Sequence, residues 1–242
     1  MIEAVLFDLG GTLTEWTWDD ALYVEGHRAG LEAIGRSELP TTEALTERFR
    51  ERSEPLLASY RETPEEIEYS GLVREVFAEL GVHLHDAELA RFLEAEHEAW
   101  NPAARLGSTT HALLESLRRR GLKLAVVSNT ADPPELLHRD LERVGIAERV
   151  DFAVFSSEVG FRKPHPAIFR RALQALGVVP ERALFVGDGL YSYVKGAKDL
   201  GITTVQALWF NADDDPDGGE PDFQAFTQMD VLNVVDRLAA AA

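Results

Sequence analysis

Five short apolar runs punctuate the chain: AVLF (4–7), KLAVVS (123–128), DFAVFS (151–156), RALFVG (182–187) and ITTVQAL (202–208). Their hydrophobicity is continuous rather than alternating, the pattern of strands buried on both faces of a parallel sheet. Between the later runs the spacing switches to three and four residues. HALLESLRRRG stops at Gly121, PPELLHRDLERVG starts on Pro133 and Pro134 and stops at Gly145, and HPAIFRRALQALG starts at Pro166 and stops at Gly177. Proline at the first turn and glycine after the last is the usual helix asymmetry. Strand and helix in alternation predict a doubly wound, parallel (Rossmann-like) α/β sheet.

One interval breaks that rhythm. Between about residue 18 and about residue 105 there is no convincing strand. Four stretches there carry helical spacing instead: DDALYVEGHRAGLEAIG, TTEALTERFRERSEPLLASY, PEEIEYSGLVREVFAELG and DAELARFLEAEHEAW. The reading is an α/β core over 1–16 and 106–242, interrupted by a helical segment over 17–105. No internal repeat is evident, and the one biased segment is NADDDPDGGEPD (211–222).

Composition narrows the function. The 242 residues are 45% hydrophobic, enough for a substantial core, and carry 42 acids against 24 bases, a net charge of −18. Such a surface repels nucleic acid and anionic lipid, so neither is an expected partner. An anionic substrate would need a local positive feature. The chain has no cysteine, which excludes disulfides, thiolate metal sites and thiol catalysis. Its first residues lack the basic lead of a secretory signal, and no apolar run approaches the ~18 residues that span a bilayer. A cytoplasmic protein, monomer or homodimer, is expected.

Ligands of an open parallel sheet bind beyond the carboxyl ends of its strands. Here those ends carry Asp8, then Ser128 and Asn129, then Lys163 within EVGFRKPHP, then Gly187 and Asp188. Two acids, a hydroxyl and a lysine on one edge suit phosphoryl transfer to a carboxylate, which water then cleaves. Mg²⁺ between Asp8 and Asp188 would offset their repulsion. Lys163 would neutralise phosphoryl oxygens and Ser128 would donate to one. Gly10 and Gly11 let the backbone approach closely.

Those segments resemble, in order, the four motifs of the haloacid dehalogenase-like (HAD) hydrolases, in the branch with a helical cap after the first strand. The matching stretches are FDLGGTLT, VVSNT, GFRKPHPAIF and FVGDGLYSYVKGA. The resemblance implies that Asp8, as nucleophile, and Lys163 are the catalytic residues. It implies phosphate binding by Ser128, Asn129, Gly11 and Lys163. Mg²⁺ would be held by Asp8, the main-chain oxygen of Gly10 and Asp188, and the substrate would be a small phosphorylated metabolite. Two positions depart from the pattern. Gly10 stands where the family has an acid–base aspartate, worth ~10²–10⁴-fold in rate. Tyr193 stands where a second acidic residue steadies the metal. The glycine predicts a preference for easy leaving groups, such as acyl phosphates and sugar 1-phosphates, or a stand-in acid among Glu15, Glu25 and His27. The alternatives are a non-catalytic binding relative and, further off, a haloacid dehalogenase.

Other residues read as structure. Trp16 and Trp18 either line a pocket mouth or pack core against insert. His83 and His85 alternate like metal ligands but have no nearby partner, and read as loop residues. His165 is expected to cap the helix that begins at Pro166. Asp213, Asp215, Asp217 and Gly218 have the spacing of a calcium loop, but Gln224 fills the position of its bidentate glutamate, so a solvated acidic loop is expected.

Overall fold

The computed structural model describes residues 1–17, 19–211 and 215–240, and of Tyr193 the backbone alone. The chain begins with β1 (Ala4–Phe7) and β2 (Thr14–Trp16), followed by α1 (Asp20–Ile34), α2 (Thr42–Ala58), α3 (Tyr69–Glu79) and α4 (Asp86–Trp100). β3 (Ala104–Leu106) then pairs antiparallel with β2, so the helical insert leaves and rejoins the core through one two-stranded ribbon. After it come α5 (Thr110–Arg119), β4 (Lys123–Ser128), α6 (Pro134–Arg143), β5 (Phe152–Phe155), the single turn α7 (Ser156–Val159) and α8 (Pro166–Leu176). The chain closes with β6 (Ala183–Gly187), a π-helical turn over Leu190–Lys195, α9 (Gly196–Lys198), β7 (Thr203–Ala207), β8 (Phe223–Ala225) and α10 (Asp230–Ala240).

The main sheet has the order β5-β4-β1-β6-β7-β8, with every neighbouring pair parallel. β1 lies between β4 and β6, and Phe7 sits opposite both Val126 and Val186. Successive residues of a strand face opposite ways. Val5 and Phe7 therefore join one apolar layer with Leu113, Leu117 and Val231, while Ala4 and Leu6 join the other with Ile168, Phe169 and Phe185. Each large side chain so buried contributes on the order of 1.5–3 kcal/mol, which explains why β1 tolerates no polar residue until Asp8.

The insert has an apolar core of its own, built on Leu31, Phe49, Val76, Phe77 and Phe92. α1 lies close against α4 because Gly26 faces Trp100 and Gly30 faces Phe92. Several sequence expectations hold at the level of single residues. His165 accepts from the Ala167 N–H at 3.3 Å at the start of α8, and Gly177 ends that helix at φ 63°. His83 and His85 flank the start of α4 in a loop.

Two expectations are corrected. PEEIEYSGLVREVFAELG is helical only from Tyr69; its first residues run extended and dock on the core, with Glu65 bridging Phe161 and the Glu66 N–H donating to the Gly160 carbonyl at 2.9 Å. β8 was not expected either. Its three residues, FQA, are too few to show a period, and pairing with β7 rather than composition makes them a strand.

Candidate active site

β1 ends in a loop that presents Asp8 and is held from far along the chain. The Asp8 N–H donates to the Val186 carbonyl at 2.9 Å, which continues the sheet ladder by one residue and leaves the carboxylate 2% exposed at the strand end. Gly11 turns the chain at φ 73°, and a Cβ there would run into the Asp188 carboxylate, so only glycine lets the loop pass this close. The next residue is fixed from the C-terminal part of the chain. Trp209 Nε1 and Gln228 Nε2 donate to the Thr12 carbonyl at 2.9 and 3.0 Å, and Gln228 Nε2 also reaches Thr110 Oγ1 at 2.7 Å. Around Gly10 the space is open: a Cβ built there meets nothing within 4 Å.

Lys163 meets Asp8 from the neighbouring edge. Its Nζ donates to Asp8 Oδ1 at 2.7 Å and to the Val127 carbonyl at 2.7 Å, and the side chain is wholly buried. Asn129 holds the lysine backbone in place, accepting from the Lys163 N–H at 2.7 Å and donating to the Lys163 carbonyl at 3.2 Å. The Asn129 amide is thus spent on positioning Lys163. Ser128, the last residue of β4, is 7% exposed beside it. Asp188 follows β6 on the other side of β1.

The electrostatics of this edge are unbalanced toward negative charge. Burial, and then the nearby Asp8 carboxylate, push the Asp188 acid up to about 7. Burial also lowers Lys163, against the pull of Asp8. Asp188 Oδ1 is buried with no hydrogen-bond partner among the described residues. A buried carboxylate oxygen without a donor is costly, and a hard cation at that oxygen removes the cost. No group of three or more acid or histidine side chains among the described residues is arranged to hold a metal ion. That suits Mg²⁺, which keeps several waters and needs only one or two carboxylates. The donor set Asp8, Asp188 and a main-chain oxygen fits such an ion.

A cleft of about 370 Å³ opens from Lys163 and Asn129 toward the insert, which contributes Tyr60, Arg61 and Glu66 to its lining. The insert is fastened beside it. The Arg162 N–H donates to the Pro64 carbonyl at 2.8 Å, Arg162 Nη2 lies 3.2 Å from Glu66 Oε1 with both side chains buried, and the guanidinium covers the Tyr60 ring. Ser156 Oγ also hydrogen-bonds Glu66.

The family profile of haloacid dehalogenase-like hydrolases matches residues 2–201, which spans β1 to α9 and every strand-end residue described above. The chain belongs to this family. Among curated relatives, it is 30% identical to a glyceraldehyde 3-phosphate phosphatase of Methanopyrus kandleri, over 99% of both chains. It is 36% identical to a phosphoserine phosphatase of Thermus thermophilus, over 74% of this chain and 66% of that one. Two solved structures share the fold. A 2-haloacid dehalogenase from Pseudomonas syringae matches at TM-score 0.70 and 21% identity, over 98% of this chain and all of that one. A HAD phosphatase from Thermococcus onnurineus matches at 0.66 and 24%, over 97% and 98%. The protein is therefore a HAD hydrolase with phosphatases among its relatives. No helix among the described residues is long and apolar enough to cross a membrane.

Two of the proposed stand-in acids are placed away from the HAD motif residues. His27 is fully buried in the insert, between Thr46 Oγ1 at 2.8 Å and Glu96, with burial holding its imidazole down at about 4. Glu25 is exposed and pairs with Arg28 on the same helix. Both were drawn from α1, whose inner face packs into the insert and whose outer face meets solvent. Glu15 is exposed in β2 opposite Arg105, and Trp16, 44% exposed, lies beside it rather than in the cleft lining. Trp18 and Asp213 lie outside the described residues, as does the Tyr193 side chain. Asp215 and Asp217 are engaged by Arg61. The positioning roles of Asn129, Trp209 and Gln228 had no sequence signal beyond Asn129's place next to Ser128, because their partners lie 34 to 216 residues away.

Proposed function

We propose that the protein is a Mg²⁺-dependent phosphatase acting on a small organic phosphate, with Asp8 as the nucleophile. The observation that carries this is the buried Asp8–Lys163 pair beside Asp188, whose Oδ1 has no donor among the described residues. Asp8 Oδ attacks phosphorus, the bond to the leaving oxygen breaks, and a carboxyl phosphate forms; water then attacks that phosphorus and returns the free carboxylate and inorganic phosphate. Lys163 both holds Asp8 in register and offsets charge on the phosphoryl oxygens. Ser128 supplies a further donor; the N–H groups of Gly11, Thr12, Leu13 and Thr14 are spent within the loop, on the Thr14 and Leu9 carbonyls, so the expected phosphate contact from Gly11 is not available in this arrangement. Mg²⁺, held by Asp8, the Gly10 main-chain oxygen and Asp188, would supply charge neutralisation and orientation when bound.

Gly10 offers no proton to the leaving oxygen, and a Cβ built there meets nothing within 4 Å among the described residues. Esters with good leaving groups, acyl and sugar 1-phosphates among them, are turned over in preference to simple alkyl phosphates. The helical insert shields the cleft from water. The test is hydrolysis of an aryl phosphate with Mg²⁺ and with EDTA, for the native chain and Asp8→Asn. Metal-dependent turnover abolished in the variant supports the proposal. Turnover that survives EDTA, or that survives in Asp8→Asn, refutes it.

A further inference from the structure

The phosphatase reading leaves the leaving group open, and the wall of the cleft constrains its charge. The cations lining it are Lys163, Arg162 and Arg61. Each already faces a carboxylate. Lys163 pairs with Asp8, and Arg162 with Glu66 inside a buried contact that also covers Tyr60. Arg61 reaches from the insert across the mouth to Asp215 and to Asp217, 3.1 Å away, with its guanidinium 5.0 Å from the centre of the Tyr191 ring. The six positions outside the described set, 18, 212–214, 241 and 242, contain no lysine or arginine.

The acids at the mouth are held there by packing. Gly218 sits against Leu190 and the Tyr191 backbone so closely that a Cβ would overlap them, which clamps the 215–218 turn onto the π-helical turn after Asp188. Asp215 Oδ1 accepts from the Asp217 N–H at 3.0 Å, which ties the Asp215 carboxylate to that turn. The mouth therefore presents one guanidinium against two carboxylates, Asp215 in the lining and the more exposed Asp217 beside it. A substrate bearing a second anionic group would have to displace one of them from Arg61 and then stand beside it. What remains for a leaving group is neutral: the rings of Tyr60 and Tyr191, and the hydroxyls of Thr130 and Ser192.

We infer that the protein selects phosphomonoesters whose leaving group is uncharged, a hydroxylated or carbonyl-bearing carbon skeleton, and that Asp215 and Asp217 exclude carboxylated and diphosphate substrates by occupying Arg61. This rests on the phosphatase reading above and goes beyond it. Like charges placed side by side at a partly exposed site oppose binding by about tenfold or more.

The test uses two aryl esters matched in size and leaving oxygen, 4-(carbamoylmethyl)phenyl phosphate and 4-(carboxymethyl)phenyl phosphate, with the intact Mg²⁺-loaded protein. The neutral ester is expected to have a kcat/KM about tenfold higher, with the ratio narrowing as salt screens the mouth. In the double variant Asp215→Asn, Asp217→Asn the ratio is expected to fall below about threefold, through KM rather than kcat. Equal turnover of both esters by the native chain, or a ratio indifferent to salt, overturns this inference while leaving the phosphatase reading intact. Failure to hydrolyse either ester removes the phosphatase reading, and the inference with it.

Discussion

Two of the places where the molecule buries ionisable groups differ in what surrounds them. At the sheet edge, Asp8, Lys163 and Asp188 converge where β1 and β6 end, next to an open cleft. In the insert, His27, Glu96 and Tyr69 converge among Tyr23, Phe49 and Trp100, in a pocket of rings. Burial pushes the Glu96 acid well above its usual range, and Tyr69 donates to its Oε2 at 2.8 Å. Perturbed ionisation is thus common to both. Access is not: the insert cluster is walled by aromatic side chains and holds helices together, while the edge cluster reaches an open cleft through Lys163. A shifted titration signals function only when topology gives it an opening.

Four substitutions test that contrast, beginning with the largest effect. Asp8→Asn should cut aryl phosphate turnover by about 10⁴-fold or more, measured as initial rate with saturating Mg²⁺; a residual rate within tenfold of native would erase the distinction between the two clusters.

His97 probes the seam between insert and core. It bonds Asp132 at 3.1 Å and Asp140 at 2.7 Å. Burial opposes its charged form, but the two carboxylates outweigh that and lift it to about 9. A folded value raised above 6.5 gives stability fully present below pH 6.5 and lost as pH rises through about 9. That gap is worth about 3 kcal/mol. Urea unfolding of the native chain and His97→Gln at pH 6 and pH 10 should show the variant's deficit at pH 6 and little difference at pH 10. A deficit that grows with pH would reverse the sign and exclude the charged pair.

Gly10→Asp should raise turnover of a simple alkyl phosphate by about 10²-fold relative to an aryl phosphate, because the open space accepts the side chain and an acid there can protonate the leaving oxygen. An unchanged alkyl-to-aryl ratio would mean that proton transfer does not limit the edge site. Glu96→Gln should do least. It keeps an acceptor for Tyr69, so stability should move by about 1 kcal/mol or less and kcat by less than twofold; a tenfold loss of kcat would make the insert cluster part of the reaction.

The asymmetry between the two clusters also marks what could be read from the chain alone. The continuous apolar runs of β1, β4, β5, β6 and β7 announced a parallel sheet, and the residues at their ends followed from position. The Gly11 turn was readable too, because close approach leaves few alternatives to glycine. Pairings made through space were not. Tyr69 with Glu96, Arg162 with Glu66 and Gln228 with Thr12 involve residue types that ordinarily lie in solvent, and nothing local distinguishes them. The docked extended segment at 64–68 was hidden for the same reason: its acids suit a helix, and only contact with residues 160–162 draws it out straight.

The brace on the Thr12 carbonyl has a consequence for how the protein is made. The strand leading to Asp8 leaves the ribosome before its sheet neighbours yet belongs between them, with partners synthesised more than a hundred residues later. The loop behind it gains its last fastener only when Gln228 emerges. A nascent chain stalled before that point carries the Asp8 carboxylate without the brace on its loop, so the finished geometry of the strand end waits on residue 228.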